Sequence, residues 1–199
     1  MSFALVAALF ALLFALLALS LRALAATGVP VFASSEEAVR AALDLLDLKD
    51  GETLFDLGCG NGQVLRAARR RAKVRAFGYE LNPFAFAVAA LRSLFDRGVR
   101  VRPLDFRRAR LHEADAVFLY LLPRAIERHI ELFEDGLREG TRLVSVDFPV
   151  PGWTEAARRE VGPLKQPVRL YIVGEHRRPA PWAPTIDGRG TNVPGTAVL

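Results

Sequence analysis

Cysteine occurs once among the 199 residues, at Cys59, which excludes a disulfide framework and any cysteine-rich metal site. Histidine is nearly as scarce. His112, His129 and His176 stand far apart with no ligand partners around them, so no metal is expected. The chain has no Gly-x-Ser-x-Gly elbow and no phosphate-loop Lys-Ser/Thr, so hydrolase and nucleotidase chemistry lack support. Lysine is confined to Lys49, Lys73 and Lys165, leaving 24 arginines to carry a net charge of +5. Those arginines gather at 66–75 and 97–110, where solvated faces and helix ends account for most of them. Anionic lipid headgroups are the next reading and nucleic acid the last, because a series of interleaved aromatics for base stacking is missing. There are no internal repeats.

What is present begins with an apolar run. Phe3 to Leu19 is 17 apolar residues without interruption, and nothing basic precedes Arg22. As a helix, 3–21 would reach about 28 Å, close to the ~30 Å hydrocarbon core. A run apolar all round has no solvent face, so a transmembrane anchor over 1–26 is expected, with the remaining chain in the cytoplasm because Arg22 and Arg40 follow it. The other reading is a secretory signal peptide, with Ala23-Leu24-Ala25 as the cleavage site; the missing basic n-region argues against it.

The densest signal is Thr53-Leu-Phe-Asp56-Leu-Gly58-Cys59-Gly60-Asn61-Gly62. A buried strand runs into one carboxylate, and three glycines then fall at alternate positions, where a sharp turn needs their dihedral freedom. A helix follows from Gln63, so free N–H groups and the positive dipole end are expected to face the turn. Dinucleotide folds place glycine at the first, third and sixth positions, whereas here the sixth is Gln63. Asp56 would repel a pyrophosphate and suits a cationic ligand such as the aminoacyl sulfonium of S-adenosylmethionine. The pattern resembles the first motif of the seven-stranded, Rossmann-like methyltransferases.

Acids recur at the ends of the next strands. The strand 74–79 ends on Glu80, followed by Leu81 and by Asn82-Pro83, which opens a helix; Val99 to Arg102 leads to Asp105-Phe106. In the resembled fold these acids accept hydrogen bonds from the ribose hydroxyls and the adenine amino group, with a neighbouring side chain on the ring. Further strands are expected at 116–122, 142–147 and 168–173, each buried or half-buried. The segment 154–161 reads as a strand or a helix, and the strand is preferred because it completes a reversed hairpin. Ser34-Ser-Glu-Glu37 reads as a capping box opening an amphipathic helix to about Leu48. Strand–helix alternation predicts an α/β fold: a parallel-based sheet with helices on both faces, preceded by one transmembrane helix. The domain spans 34–176 after a linker at 27–33, and the Pro-, Gly- and Thr-rich tail 177–199 is expected to be disordered.

One block narrows the acceptor. The fourth strand carries Asp115-Ala-Val-Phe-Leu-Tyr120-Leu121-Leu122-Pro123 in place of the Asn/Asp-Pro-Pro-Tyr type tetrapeptide of enzymes that methylate base amines or glutamine amides. With Asp147-Phe-Pro-Val-Pro-Gly-Trp153 and Gly28-Val-Pro-Val-Phe-Ala-Ser34, it resembles the membrane-anchored, seven-stranded (class I) protein lysine methyltransferases. That family's mitochondrial members modify the ATP synthase c-subunit and the adenine nucleotide carrier. Ala33 departs from it, standing where the family has a second proline. The resemblance implies S-adenosylmethionine as cofactor, held by Ser34, Ser35, Asp56, Gly58, Cys59, Gly60, Asn61, Gly62, Glu80, Leu81, Asn82, Asp105, Phe106 and Tyr120. It implies an acceptor channel at Tyr120, Leu121 and Pro123, a membrane-associated protein acceptor, bilayer contact through the amino-terminal helix, and no nucleic-acid partner. A lipid or membrane-soluble acceptor, and a cofactor-binding protein without catalysis, remain the alternatives.

Overall fold

The computed structural model describes residues 3–27 and 34–175, together with the backbone of two short strands further on; in 3–27, side chains are described over 4–18. Seven strands form one sheet: β1 (Thr53–Leu57), β2 (Arg75–Tyr79), β3 (Val99–Arg102), β4 (Ala116–Leu119), β5 (Arg142–Val146), β6 (Ala157–Val161) and β7 (Gln166–Ile172). Their order is β3-β2-β1-β4-β5-β7-β6, with β1 to β5 parallel and β7 antiparallel to both its neighbours. The segment 154–161 therefore supplies a strand, and β6 and β7 form the expected reversed hairpin. Chain order reverses between β1 and β4, the switch point at which open α/β sheets bind ligands beyond their carboxyl ends.

Period-two side chains divide the core. Leu54, Ala116, Phe118, Val144 and Val146 pack on one face with α2 (Glu36–Leu46) and α3 (Gln63–Arg71). Phe55, Leu57, Val117, Leu119 and Leu143 pack on the other with Ile126 of α5 (Pro123–Arg128) and Phe133 of α6 (Ile130–Gly136). Helix α2 buries Ala38, Ala42 and Leu46, and beside them Val39 and Leu43, the spacing of one helical face. Its cap is Ser35, whose Oγ accepts from Ala38 N at 3.1 Å. The third helical position is thus Ala38, so the reciprocal box expected of Ser34 and Glu37 does not form. Strand β4 stops at Leu119 instead of 122, because Leu122 caps α5 and Pro123 occupies its first turn.

The amino-terminal run is helical as α1 (Phe3–Thr27) and lies against α4 (Pro83–Arg92). Among the described residues, however, no helix is long and apolar enough to cross a membrane. The expected spanning helix is not supported on these residues. In the tail, β8 (Thr185–Ile186) and β9 (Asn192–Val193) pair antiparallel, a departure from the expected lack of regular structure; the rest of the tail lies outside the described residues, as do 28–33 of the linker and His176.

Candidate active site

The turn after β1 has positive φ at Gly58 (91°), Gly60 (52°) and Gly62 (73°), as a chain with no Cβ allows. Five of its N–H groups bond within the protein. Gly58 and Cys59 both donate to Tyr79 O at 2.9 and 3.1 Å, and Gly62 donates to Cys59 O at 2.8 Å. Gly60 donates to Glu80 Oε2 at 2.8 Å, and Gln63 to Asn61 Oδ1 at 3.0 Å. The turn folds back on the end of β2, which takes the Gly58, Cys59 and Gly60 donors. Close approach there depends on Gly78, which sequence reading passed over as an ordinary strand residue. A Cβ on Gly78 would stand 2.6 Å from both Cys59 Sγ and Leu65 Cδ1. A glycine inside an apolar strand was the available signal.

The carboxylates are arranged differently from the donors. Asp56 is buried and its Oδ2 has no hydrogen-bond partner. Burial, and then the charge of Glu80, push its carboxyl up to about 8. Glu80 is also buried; its Oε1 accepts from Asn82 N at 2.7 Å, so its two oxygens clamp the turn on one side and the start of α4 on the other. Asn82 in turn caps α4, accepting from Phe84 N and Ala85 N at 3.0 and 3.1 Å. Neither Asp56 nor Glu80 forms an ion pair among the described residues. Two acids and no protein cation fit a positively charged ligand and reject a pyrophosphate. The Cys59 thiol is pushed up by burial and by both acids, which keeps it protonated and unreactive.

At the end of β3 the expected adenine contacts have other engagements. Asp105 accepts from Arg107 N at 2.9 Å and pairs with the Arg107 side chain at 2.6 Å. Burial pulls its carboxyl up, but the Arg107 hydrogen bonds prevail and hold it below the usual range. Phe106 is half-buried against His129 (5.0 Å between rings) and Phe133, part of the lower core. Leu81, between the two residues that build the clamp, is exposed.

The acceptor block adjoins the turn. Leu57 and Leu119 are register partners, so Gly58 and Tyr120 leave neighbouring strands side by side. Leu121 is buried, and its Cδ2 lies 3.4 Å from where a Gly58 Cβ would be. The Tyr120 hydroxyl is raised to about 12 by desolvation and then by its hydrogen bond to Asp147, with Gln166 as a further partner. Pro123 is exposed at the start of α5, so of the three expected channel residues Tyr120 and Leu121 come together and Pro123 stands at the rim. Ser35 Oγ donates to Gln166 Oε1 at 3.1 Å, linking the α2 cap to this half; Ser34 is half-buried beside it in sequence. Asp147 and Gln166 were missed as site residues, Gln166 because nothing local marks it. A cavity of about 380 Å³ lined by Thr53, Arg75, Phe77, His112, Glu113, Asp115 and Arg138 lies at the opposite, amino-terminal end of the strands.

A family model described as the ANTKMT methyltransferase domain matches residues 56–157, from Asp56 through Asp147 to the start of β6. The chain belongs to this methyltransferase family. Among its relatives, a protein-lysine N-methyltransferase of Saccharolobus islandicus is 31% identical over 156 residues, covering 75% of this chain and 96% of that one. The adenine nucleotide translocase lysine N-methyltransferase of Mus musculus is 30% identical, covering 85% of this chain and 69% of that one. In structure, an RNA methyltransferase from Salinibacter ruber in complex with S-adenosyl-L-homocysteine aligns with a TM-score of 0.67 at 27% identity, over 72% of this chain and 95% of that one. The cofactor of this methyltransferase is S-adenosylmethionine, and the residues that fit it are the unpaired Asp56 and the Glu80-clamped turn.

Proposed function

We propose that the chain methylates lysine side chains of a membrane-associated protein. The observation that carries the reading is the pair of buried acids, Asp56 and Glu80, with no cation of their own, directly beside the Tyr120–Leu121 block. The lysine acceptor is supported by the named activities of the archaeal and mouse relatives. A membrane-associated acceptor is supported by the translocase named for the mouse relative; attachment of the chain itself through α1, where Leu5, Phe10, Phe14 and Leu17 are exposed, is part of the same proposal.

S-adenosylmethionine, when bound, supplies a methyl group that is already activated, so the protein's work is binding, alignment and water exclusion. A cationic ligand beside Asp56 favours the charged form of its carboxyl, which burial otherwise pushes up to about 8, and Glu80 lies next to it. Leu121, buried against Gly58, provides the apolar wall, and a lysine beside it loses part of its preference for the charged form. The Tyr120 hydroxyl stays protonated throughout the physiological range and donates to Asp147. Holding both reactants in attack geometry is worth roughly 7–11 kcal/mol.

The test feeds tritiated S-adenosylmethionine and the purified protein to membranes from a strain that lacks it. Label recovered as methyl-lysine from a protease-sensitive band is the expected result; label in the lipid extract overturns the lysine acceptor. Alkaline carbonate washing checks the membrane attachment, and release of the full-length protein removes it.

A further inference from the structure

Beyond the cofactor turn, four polar side chains join into one chain across the carboxyl ends of β4 and β5 and the start of β7. Ser35 Oγ donates to Gln166 Oε1 at 3.1 Å, and Gln166 Nε2 donates to Asp147 Oδ2 at 3.0 Å. The Tyr120 hydroxyl also donates to the Asp147 carboxylate. Asp147 is the point on which the others converge.

Its backbone is held in an uncommon conformation. Asp147 has φ 64°, the left-handed region, which costs a non-glycine residue about 1–2 kcal/mol. Both of its peptide groups are pinned: its N–H donates to Pro167 O at 2.9 Å, and its carbonyl accepts from Arg169 at 2.7 Å. Strain held by its surroundings in this way gathers at functional positions. Arg169 contacts the carbonyl and pairs with Glu155, so the Asp147 carboxylate makes no ion pair among the described residues. Tyr120 and Gln166 are neutral donors. They aim the carboxylate without neutralising it, and its two oxygens accept about four hydrogen bonds in all.

Position completes the case. β1, β4 and β5 are consecutive in the sheet, so the end of β5 lies two strand spacings, about 10 Å, from the end of β1 and its glycine turn. Tyr120 and Leu121 lie between. We infer that Asp147 binds the ammonium of the incoming lysine, with Gln166 and Tyr120 as the positioning residues that aim it. The inference rests on the lysine reading above. The bound ammonium gives its proton to water before the nitrogen lone pair is free to attack, so Asp147 governs capture of the acceptor more than the transfer itself.

The test is Asp147→Asn. Asparagine tolerates the left-handed region and keeps the side-chain shape, so charge is what changes. The probe is the membrane fraction of a strain lacking the protein, titrated as acceptor with methyl-lysine as readout. At pH 7 the expected result is an apparent acceptor KM raised about tenfold, with cofactor affinity unchanged. The deficit should shrink as pH approaches the lysine value of about 10.4, where an uncharged amine no longer needs the carboxylate. An unchanged KM, or a loss in kcat that is constant across pH, overturns the inference. Tyr120→Phe, which removes one aiming donor and leaves the charge, should raise KM by about threefold; no change in KM counts against the aiming role even if the asparagine variant fails to fold. Wild-type label in lipid overturns the lysine reading and this inference together, whereas normal lysine labelling by Asp147→Asn overturns this inference alone.

Discussion

The two halves of the site treat their carboxylates in opposite ways. At the end of β1 and β2, Glu80 lies close enough to raise the cost of ionising Asp56, and Asp56 Oδ2 has no hydrogen-bond partner among the described residues. At the ends of β4 and β5, beside the start of β7, Asp147 is held by two neutral donors and stays half-exposed. The first half is electrically unfinished and the second geometrically finished. Without a ligand the buried Asp56 avoids its charge by keeping its proton; the acceptor half instead keeps its acid solvated and aims it.

The strongest way to break this contrast is Asp56→Asn. It should weaken S-adenosylmethionine binding by about a hundredfold, near 3 kcal/mol, while raising the melting temperature of the ligand-free protein. Calorimetry and thermal unfolding read the two effects, and a variant that loses both affinity and stability would mean that Asp56 is an ordinary core acid. The same residue sets a pH dependence. Its folded pKa lies above its unfolded one, so its contribution is fully present below about pH 4 and is lost as pH rises through about 8. At about 1.4 kcal/mol per unit that is several kcal/mol for the ligand-free protein. Urea midpoints between pH 5 and 9 should therefore fall, and saturating cofactor should flatten the slope.

Glu80→Ala comes next. It removes a charged acceptor from Gly60 N and Asn82 N, and about 2–3 kcal/mol of stability should go with the clamp. Unlike Asp56→Asn, this variant should lose stability and affinity together. Gly78→Ala forces a methyl against Cys59 and Leu65, and about 1–3 kcal/mol of overpacking should appear in chemical denaturation. Smallest is Ser35→Ala on the acceptor side, where one cap and one link to Gln166 go and about 1 kcal/mol is expected. Cofactor affinity unchanged by Ser35→Ala would sharpen the division; a large drop would mean that Ser35 reaches the cofactor.

The alternation of strands and helices was legible because each strand is a short apolar run between turn residues, and the glycine turn with Asp56 stood out for the same reason. Even the reversed hairpin could be read from Thr154 to Val161. What the sequence withheld is partnership. Nothing in Asp105-Phe106-Arg107 says that the acid pairs with Arg107 instead of facing outward, or that Phe106 turns toward His129 and Phe133. Gln166 enters the site only because β7 runs antiparallel beside β5, a pairing across 20 residues that no local pattern encodes. Likewise the fate of the turn's N–H groups depends on where the end of β2 falls, not on the glycines themselves.

The sheet's two outer strands read Val-Arg-Val-Arg in β3 and Ala-Arg-Arg-Glu-Val in β6. An open sheet exposes unpaired backbone at both borders, where a second copy could add on as a further strand. Arg100 and Arg102 are exposed at the β3 border, so a second copy approaching that border edge to edge would bring like charge against like charge, whereas Arg158 and Arg159 of β6 are paired with Glu160 and Asp44. Part of the arginine surplus thus serves colloidal stability: at β3 it keeps a sheet margin that no strand covers among the described residues from growing into a larger sheet.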